Sequence, residues 1–507
     1  MNPNSDYKNE DGRMKKFIRI HENNNVAVAL QEVPAGTPVD LEGYSVTALE
    51  AIPAGHKIAL TDIPEGVNII KYGFPIGHAK ADIKAGEHVH THNVKSNLAG
   101  LKEYAYHPVK GSDRVEEAQT FMGYVRPDGS VGIRNEVWII PTVGCVNGIA
   151  EAIEENAKSV MPEGVERVCA YTHPYGCSQL GGDHLMTQKA LCGLIRHPNA
   201  GAVLVLGLGC ENNQIDDLKQ VLGEYDPQRV KFLVCQQVSD EIAEGTAIVK
   251  ELMDYAASFK REPVSTSKLI VGLKCGGSDG FSGITANPLL GSFAEKLSAQ
   301  GGAVMLTEVP EMFGAETMLM DRAETQEVFE KTVSLINDFK EYFMRYGEKI
   351  NENPSPGNKK GGITTLEDKS LGCVQKGGRI TVRDVLRYGD KVQVPGLSLL
   401  QAPGNDLVAA TALAISGAQL ILFTTGRGTP FGCPIPTVKV STQSDIAARK
   451  ANWIDFNAGK LLEGESMDEL TEELFAYVLS VASGEAHPAS EALSKKNLAI
   501  FKDGVTL

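Results

Sequence analysis

No run of apolar residues among the 507 approaches the length of a membrane span. Residues 1–13 are polar and carry no hydrophobic signal core. None of the nine cysteines stands in a C-x-x-C pair, and their number is odd. Both points argue against a disulfide framework and for reduced thiols in a cytoplasmic enzyme. Positive charge is also short: 49 Lys and Arg against 64 Asp and Glu leave a formal net charge of -15. Such a field disfavours nucleic acid and anionic membranes as partners, and no helix-turn-helix is evident. An anionic substrate must therefore meet a local basic pocket. No P-loop lysine and no G-x-G-x-x-G opening a helix are present, so nucleotide and dinucleotide sites are not indicated.

What the chain does have is glycine, 52 residues of it, in 42% apolar surroundings. Apolar runs repeatedly end in a glycine loop that carries a cysteine. Val137-Trp138-Ile139-Ile140 leads to Cys145, Val168-Cys169-Ala170-Tyr171 to Cys177, Val203-Leu204-Val205-Leu206 to Cys210, and Leu269-Ile270-Val271-Gly272 to Cys275. A helix-like stretch follows each, which is the pattern of a parallel α/β sheet with crossover helices. Ligands of such sheets sit at the carboxyl ends of the strands.

The expected organisation is a loose tail over residues 1–13, a small all-β domain over 14–98 and a polar linker over 99–119. A first α/β domain over 120–262 and a C-terminal α/β domain over 263–507 complete it. The all-β part repeats a Pro- or Lys-initiated turn closed by Gly36, Gly55, Gly66 and Gly86. Residues 260–268 read as a polar break between the α/β parts. Residues 351–378, rich in Gly, Pro, Asn and Lys, read as a long functional or mobile loop.

Four places carry candidate chemistry. His88, His90 and His92 alternate along a strand end and would share one face, where neutral imidazoles can hold a divalent metal; a solvated strand end explains them as well. His56 and Lys57 follow a tight turn and offer a base beside a cation, or a surface loop. Cys145, Cys177, Cys210 and Cys275 are iron or iron–sulfur ligands, or small buried hydrophobes. Their polar neighbours Asn147, Ser278 and Asp279 suit a polyhydroxylated ligand. The turn holding Thr425, Arg427 and Thr429 resembles an anion-binding loop with an arginine fork. The basic glycine loop with Asn358 and Lys359 is similar, although a solvated linker would look the same.

Longer motifs then bring a family into view. Gly123-Tyr124-Val125-Arg126-Pro127-Asp128-Gly129, Gly132-Ile133-Arg134-Asn135-Glu136, Cys275-Gly276-Gly277-Ser278-Asp279-Gly280 and Pro354-Ser355-Pro356-Gly357-Asn358-Lys359 together closely resemble the altronate dehydratase and galactarate dehydratase family of sugar-acid dehydratases. The resemblance covers nearly the whole chain after Met14, and His88-Val89-His90-Thr91-His92-Asn93 resembles the altronate branch. It implies a SAF-type β-clip followed by two Rossmann-like α/β domains with parallel sheets, the last of unusual topology. It implies a hydro-lyase of hexuronate catabolism that needs iron(II) or manganese. The reaction would be loss of water from D-altronate to give 2-dehydro-3-deoxy-D-gluconate. Within that frame His88, His90 and His92 are the expected metal ligands, and His56, Lys57 and His90 the catalytic set. Arg134, Asn135, Asn147, Ser278, Asp279, Asn358, Lys359, Thr425, Arg427 and Thr429 are the expected substrate contacts. A homo-oligomer is expected. Galactarate dehydration, a sulfo-lyase reaction and a non-catalytic sugar-acid sensor are the other readings.

Overall fold

The computed structural model describes residues 15–41, 43–493 and 497–504; the expected tail lies outside them. Residues 15–97 form a small antiparallel β-structure. Its central sheet runs Phe17–Ile18, Val26–Ala29, Lys57–Ala59, His88–Val89. The four predicted turn glycines adopt φ of 80° (Gly36), 79° (Gly55), 80° (Gly66) and 91° (Gly86), a region that a Cβ makes costly. Chain reversal at these glycines brings the short strands into pairing.

Two parallel sheets follow. The first has the order Arg167–Ala170, Glu136–Pro141, Ala200–Gly207, Val230–Val234. The second has seven strands: Val382–Leu386, Gly396–Leu400, Ala303–Leu306, Ile270–Cys275, Leu420–Thr425, Thr437–Ser441, Phe456–Asn457. Both have near-continuous apolar strands, as sheets covered on two faces require. The second sheet is unusual in that two pairs of parallel neighbours are each joined without a helix, through residues 387–395 and 426–436. Parallel strands ordinarily need a helical crossover.

Residues 260–268 run between the two parallel sheets, and within them Glu262–Ser265 is a strand paired antiparallel with Thr120–Val125. One expectation is corrected. Residues 351–378 are not one long loop. They contain helices Pro356–Lys360 and Leu366–Cys373, capped by Ser355 and Thr365. Every residue of Leu366–Cys373 is buried, so the helix shows no apolar stripe and no period betrays it.

The β-structure is not free-standing. Its Ile63, Ile69, Tyr72 and Ile76 share one core with Leu289, Phe293 and Leu371 of the C-terminal part. A second core joins the two parallel sheets through Trp138, Tyr171, Phe423 and Ile435. No helix among the described residues is long and apolar enough to cross a membrane.

At the carboxyl rim of the four-stranded sheet, His173 is buried. One ring nitrogen, Nε2, donates to Pro141 O (2.8 Å) and the other, Nδ1, accepts from Tyr175 N (3.2 Å). Burial pushes its pKa down to about 4, which the Pro141 contact opposes only in part. Between about pH 4 and 6.5 the unfolded chain therefore binds the proton that the folded chain refuses, and stability rises with pH across that window. His173→Gln is expected to flatten this limb. Of a full effect of about 3 kcal/mol, roughly 2 kcal/mol falls between pH 5 and pH 7, read from urea unfolding of the two proteins at those pH values.

Candidate active site

The turn ending at Gly55 carries the β-structure onto the C-terminal domain. A Cβ at Gly280 would lie 2.0 Å from Gly55 O, and one at Gly362 2.3 Å from the same atom. Gly280 N donates to Gly361 O at 2.7 Å. Three backbones thus meet at a contact that side chains would forbid. Gly280→Ala is expected to push the β-structure off its seat. Misplacement of about 1 Å lowers turnover by about 100-fold, and a normal far-UV circular dichroism spectrum would show that the α/β sheets survive.

This seat gathers the histidines. His56 Nδ1 lies 2.9 Å from His88 Nε2, and His56 Nε2 lies 3.2 Å from Lys360 O. His90 Nδ1 lies 3.3 Å from Thr364 Oγ1. One ring nitrogen from each of His56, His88 and His90 falls within 4.8 Å of the others. Burial, with the Lys57 ammonium adding to it, lowers all three pKa values, His88 and His90 to about 3. Near neutral pH these are uncharged imidazoles whose ring nitrogens face one another across a few ångströms, a donor set that fits a divalent metal.

The trio differs from the expected ligand set in one member. His92 is exposed and stands outside the trio, its ring centroid 5.4 Å from that of His88. The strand ends at Val89 and residues 91–93 turn, which ends the alternation. Asn93 shapes the turn by accepting from His90 N (2.9 Å) and donating to His88 O (2.9 Å). His56, expected as an acid or base, is the third member of the trio.

Behind the imidazoles lies a buried ionic triad. Asp368 pairs with Lys57 and Lys71, each at 2.9 Å, and all three side chains are at most 2% exposed. Lys57 also donates to Gly362 O (2.7 Å), and Asp368 accepts from Thr364 N (3.0 Å). Burial pushes Lys57 down to about 8 against the pull of Asp368. Burial would raise Asp368, but the two ammoniums outweigh it and hold the carboxyl well below its usual range. Lys57 therefore sits in the framework that fixes the His90–Thr364 edge.

The remaining candidates divide. Ser278 and Asp279 line a small cavity with Tyr72, Asp368 and Cys373. Asp279 is fully engaged there by Thr442, Gln443 and Ser282. Asn358 donates to Ser278 O (2.8 Å), which fixes the loop bearing Lys359. Arg427 is exposed and reaches that loop through Gly357 O (2.8 Å); Thr425 Oγ1 accepts from Gly428 N, and Thr429 Oγ1 from Phe431 N. Arg134 and Asn135 are corrected. They lie at the amino end of their strand, away from the ligand edge. Arg134 is held by Glu491 and the carbonyls of Ile133 and Val481, and Asn135 by Arg126, Gly164 O and Ala256 O. Both are framework. Asn147 bridges to His173 O on the first sheet's rim (2.9 Å).

Cys275 is separated from the other candidate cysteines. Its sulfur lies 3.5 Å from Cys373 Sγ and 3.1 Å from Glu311 Oε2, all buried. Lys369 pairs with Glu311 (2.7 Å) and Lys376 with Glu308 (3.3 Å). The Cys275 contact and burial push the Cys373 thiol well up. Carboxylates already neutralised by ammoniums, beside a thiol that keeps its proton, suit a cation less well than the imidazole trio does.

Sequence comparison gives this arrangement its context. Residues 15–97 match the altronate/galactarate dehydratase SAF domain, 123–257 the second domain of D-galactarate dehydratase/altronate hydrolase, and 266–506 the D-galactarate/altronate dehydratase C-terminal domain. An altronate dehydratase of Escherichia coli (strain K12) is 52% identical over 500 residues, covering 97% of this chain and 100% of that protein. One from Bacillus subtilis (strain 168) is 53% identical with the same coverage. The galactarate dehydratase (L-threo-forming) of Escherichia coli (strain K12) is 33% identical over 96% of each chain. The fold, then, is a SAF-type β-clip joined to two parallel α/β domains, and the protein is a carbon–oxygen hydro-lyase. The chain belongs to the D-galactarate/altronate dehydratase family.

Proposed function

We propose that this hydro-lyase converts D-altronate to 2-dehydro-3-deoxy-D-gluconate and water, with iron(II) or manganese held by His56, His88 and His90. The observation that carries the reading is the set of three uncharged imidazoles converging where the β-clip meets the glycine loops. Identity above 50% to two altronate dehydratases, against 33% to the galactarate enzyme, supports the aldonate as substrate.

When bound, the ion supplies Lewis-acid stabilisation of the charge that builds on the substrate carboxylate as the C2 proton leaves. Arg427 and Lys359, on loops tied to each other through Gly357, add charge-assisted hydrogen bonds to that carboxylate. A ring nitrogen of His92, exposed beside His88 and outside the trio, takes the C2 proton and delivers it to the departing C3 hydroxyl, which leaves as water. The remaining enol loses its C2 hydroxyl proton to solvent, takes up a proton at C3 and becomes the 2-keto acid. Thr364, held by Asp368, fixes the His90 ring throughout. The cytoplasm is the compartment proposed, supported by nine free cysteines.

The test is incubation with D-altronate or galactarate and iron(II) under reducing conditions, with an assay for the 2-keto acid. Faster turnover of D-altronate is expected. Preference for galactarate, or sugar bound and released unchanged, would overturn the reading.

A further inference from the structure

Cysteine is ordinarily among the most buried residues, and six of the nine here are buried: Cys169, Cys192, Cys235, Cys275, Cys373 and Cys433. The three exposed ones, Cys145, Cys177 and Cys210, follow three adjacent strands of one sheet. Cys145 lies in the turn Gly144–Val146 after the strand Glu136–Pro141. Cys177 follows Arg167–Ala170 and Cys210 follows Ala200–Gly207, the neighbours on either side. In this strand order the chain reverses direction across the sheet beside Glu136–Pro141, and the crevice at the carboxyl ends there is where such sheets bind ligands.

The three loops are sewn to one another. Gly144 N donates to Tyr175 O (2.9 Å), and Asn213 N to Gly176 O (3.1 Å). Asn213 Nδ2 donates to Thr142 O (3.0 Å) and Ser178 N to Asn212 Oδ1 (2.8 Å). A Cβ at Gly176 would lie 2.0 Å from Thr142 O. Glu211 anchors its own loop by accepting from Thr142 Oγ1 (2.6 Å) and Leu208 N (3.0 Å). Two buried polar atoms in these loops, Gln179 Nε2 and Asn213 Oδ1, have no partner within the protein. Packing alone explains neither the rigid loops nor three thiols left in solvent on one rim.

We infer that Cys145, Cys177 and Cys210 hold a [4Fe–4S] cluster by three thiolates, leaving one iron without a cysteine ligand. Soft thiolates select such clusters. A single zinc ion fits the spacing poorly. Zinc would draw sulfurs at about 2.3 Å to within about 3.8 Å of each other, whereas these three sulfurs are not all within 4.8 Å of one another. The three loops leave adjacent strands, about 4.8 Å apart, and are hydrogen-bonded to one another, so the three thiols rise from one rim. Binding is a ligand exchange: three thiols lose their protons to solvent and replace three exchangeable ligands of a preformed cluster, with no electron transferred.

The full chain, made and handled without oxygen, is offered a preformed [4Fe–4S] cluster carrying small thiolate ligands and is then desalted. Iron, acid-labile sulfide and visible absorption are measured. The chain is expected to retain about four of each element. Cys145→Ser, Cys177→Ser and Cys210→Ser are each expected to lower retained sulfide at least ~5-fold, with circular dichroism unchanged. His90→Ala should retain the cluster, which separates this site from the imidazole trio. Absence of bound sulfide in the unaltered chain, iron or zinc bound without sulfide, or full retention in Cys210→Ser would overturn the inference.

Discussion

His90→Ala is expected to lower turnover of D-altronate by about 100-fold or more and to remove the tightly held divalent metal. His90 is one of three imidazoles whose nitrogens lie within 4.8 Å of one another, so its loss leaves two members of the trio. The side chain is only part-buried and its ring bonds to Thr364 alone, so the fold should survive. Turnover and metal content measured on one sample, with a thermal scan, check this. His92→Ala makes the useful contrast: it should lose turnover while keeping the metal, because His92 stands outside the trio.

Asp368→Asn is expected to be the most damaging change to the framework. Two ammoniums, Lys57 and Lys71, share this one carboxylate in a site that water does not reach. Removing its charge strands both, and breaking a buried pair in this way costs about 3–5 kcal/mol. The loss also frees Thr364, and with it the edge that positions His90. A cooperative drop in unfolding midpoint should accompany lost activity. Adding Lys57→Met to Asp368→Asn removes one stranded charge, so the double variant should be more stable than the sum of the two single changes predicts. Strict additivity in denaturant unfolding would mean that the three groups do not act as a unit.

Local features of this architecture are written locally, and distant ones are not. The turn glycines of the β-clip and the strand–loop–helix units around Cys145, Cys177 and Cys210 follow from spacing and glycine placement. They could therefore be read before any tertiary contact was known. His88 and His90 were visible for the same reason, two positions apart. His56 became a ligand candidate only through the antiparallel pairing of Lys57–Ala59 with His88–Val89. Asp368 had no local signal, since its partners lie 311 and 297 residues away and its helix is buried on every side. Arg134 and Asn135 misled because a conspicuous motif at the amino end of a strand looks like one at the carboxyl end until the strand's direction is fixed. Lys71 hid in an ordinary alternating strand, where a lysine reads as a solvated face.

The central claim is that the imidazole trio holds the ion on which dehydration of D-altronate depends. Its most direct test is turnover of exhaustively chelated protein before and after iron(II) or manganese is returned, in the unaltered chain and in His90→Ala. Activity should vanish on chelation and return with the ion in the unaltered chain alone. Full turnover of D-altronate by demetallated protein, or equal recovery in His90→Ala, would contradict it.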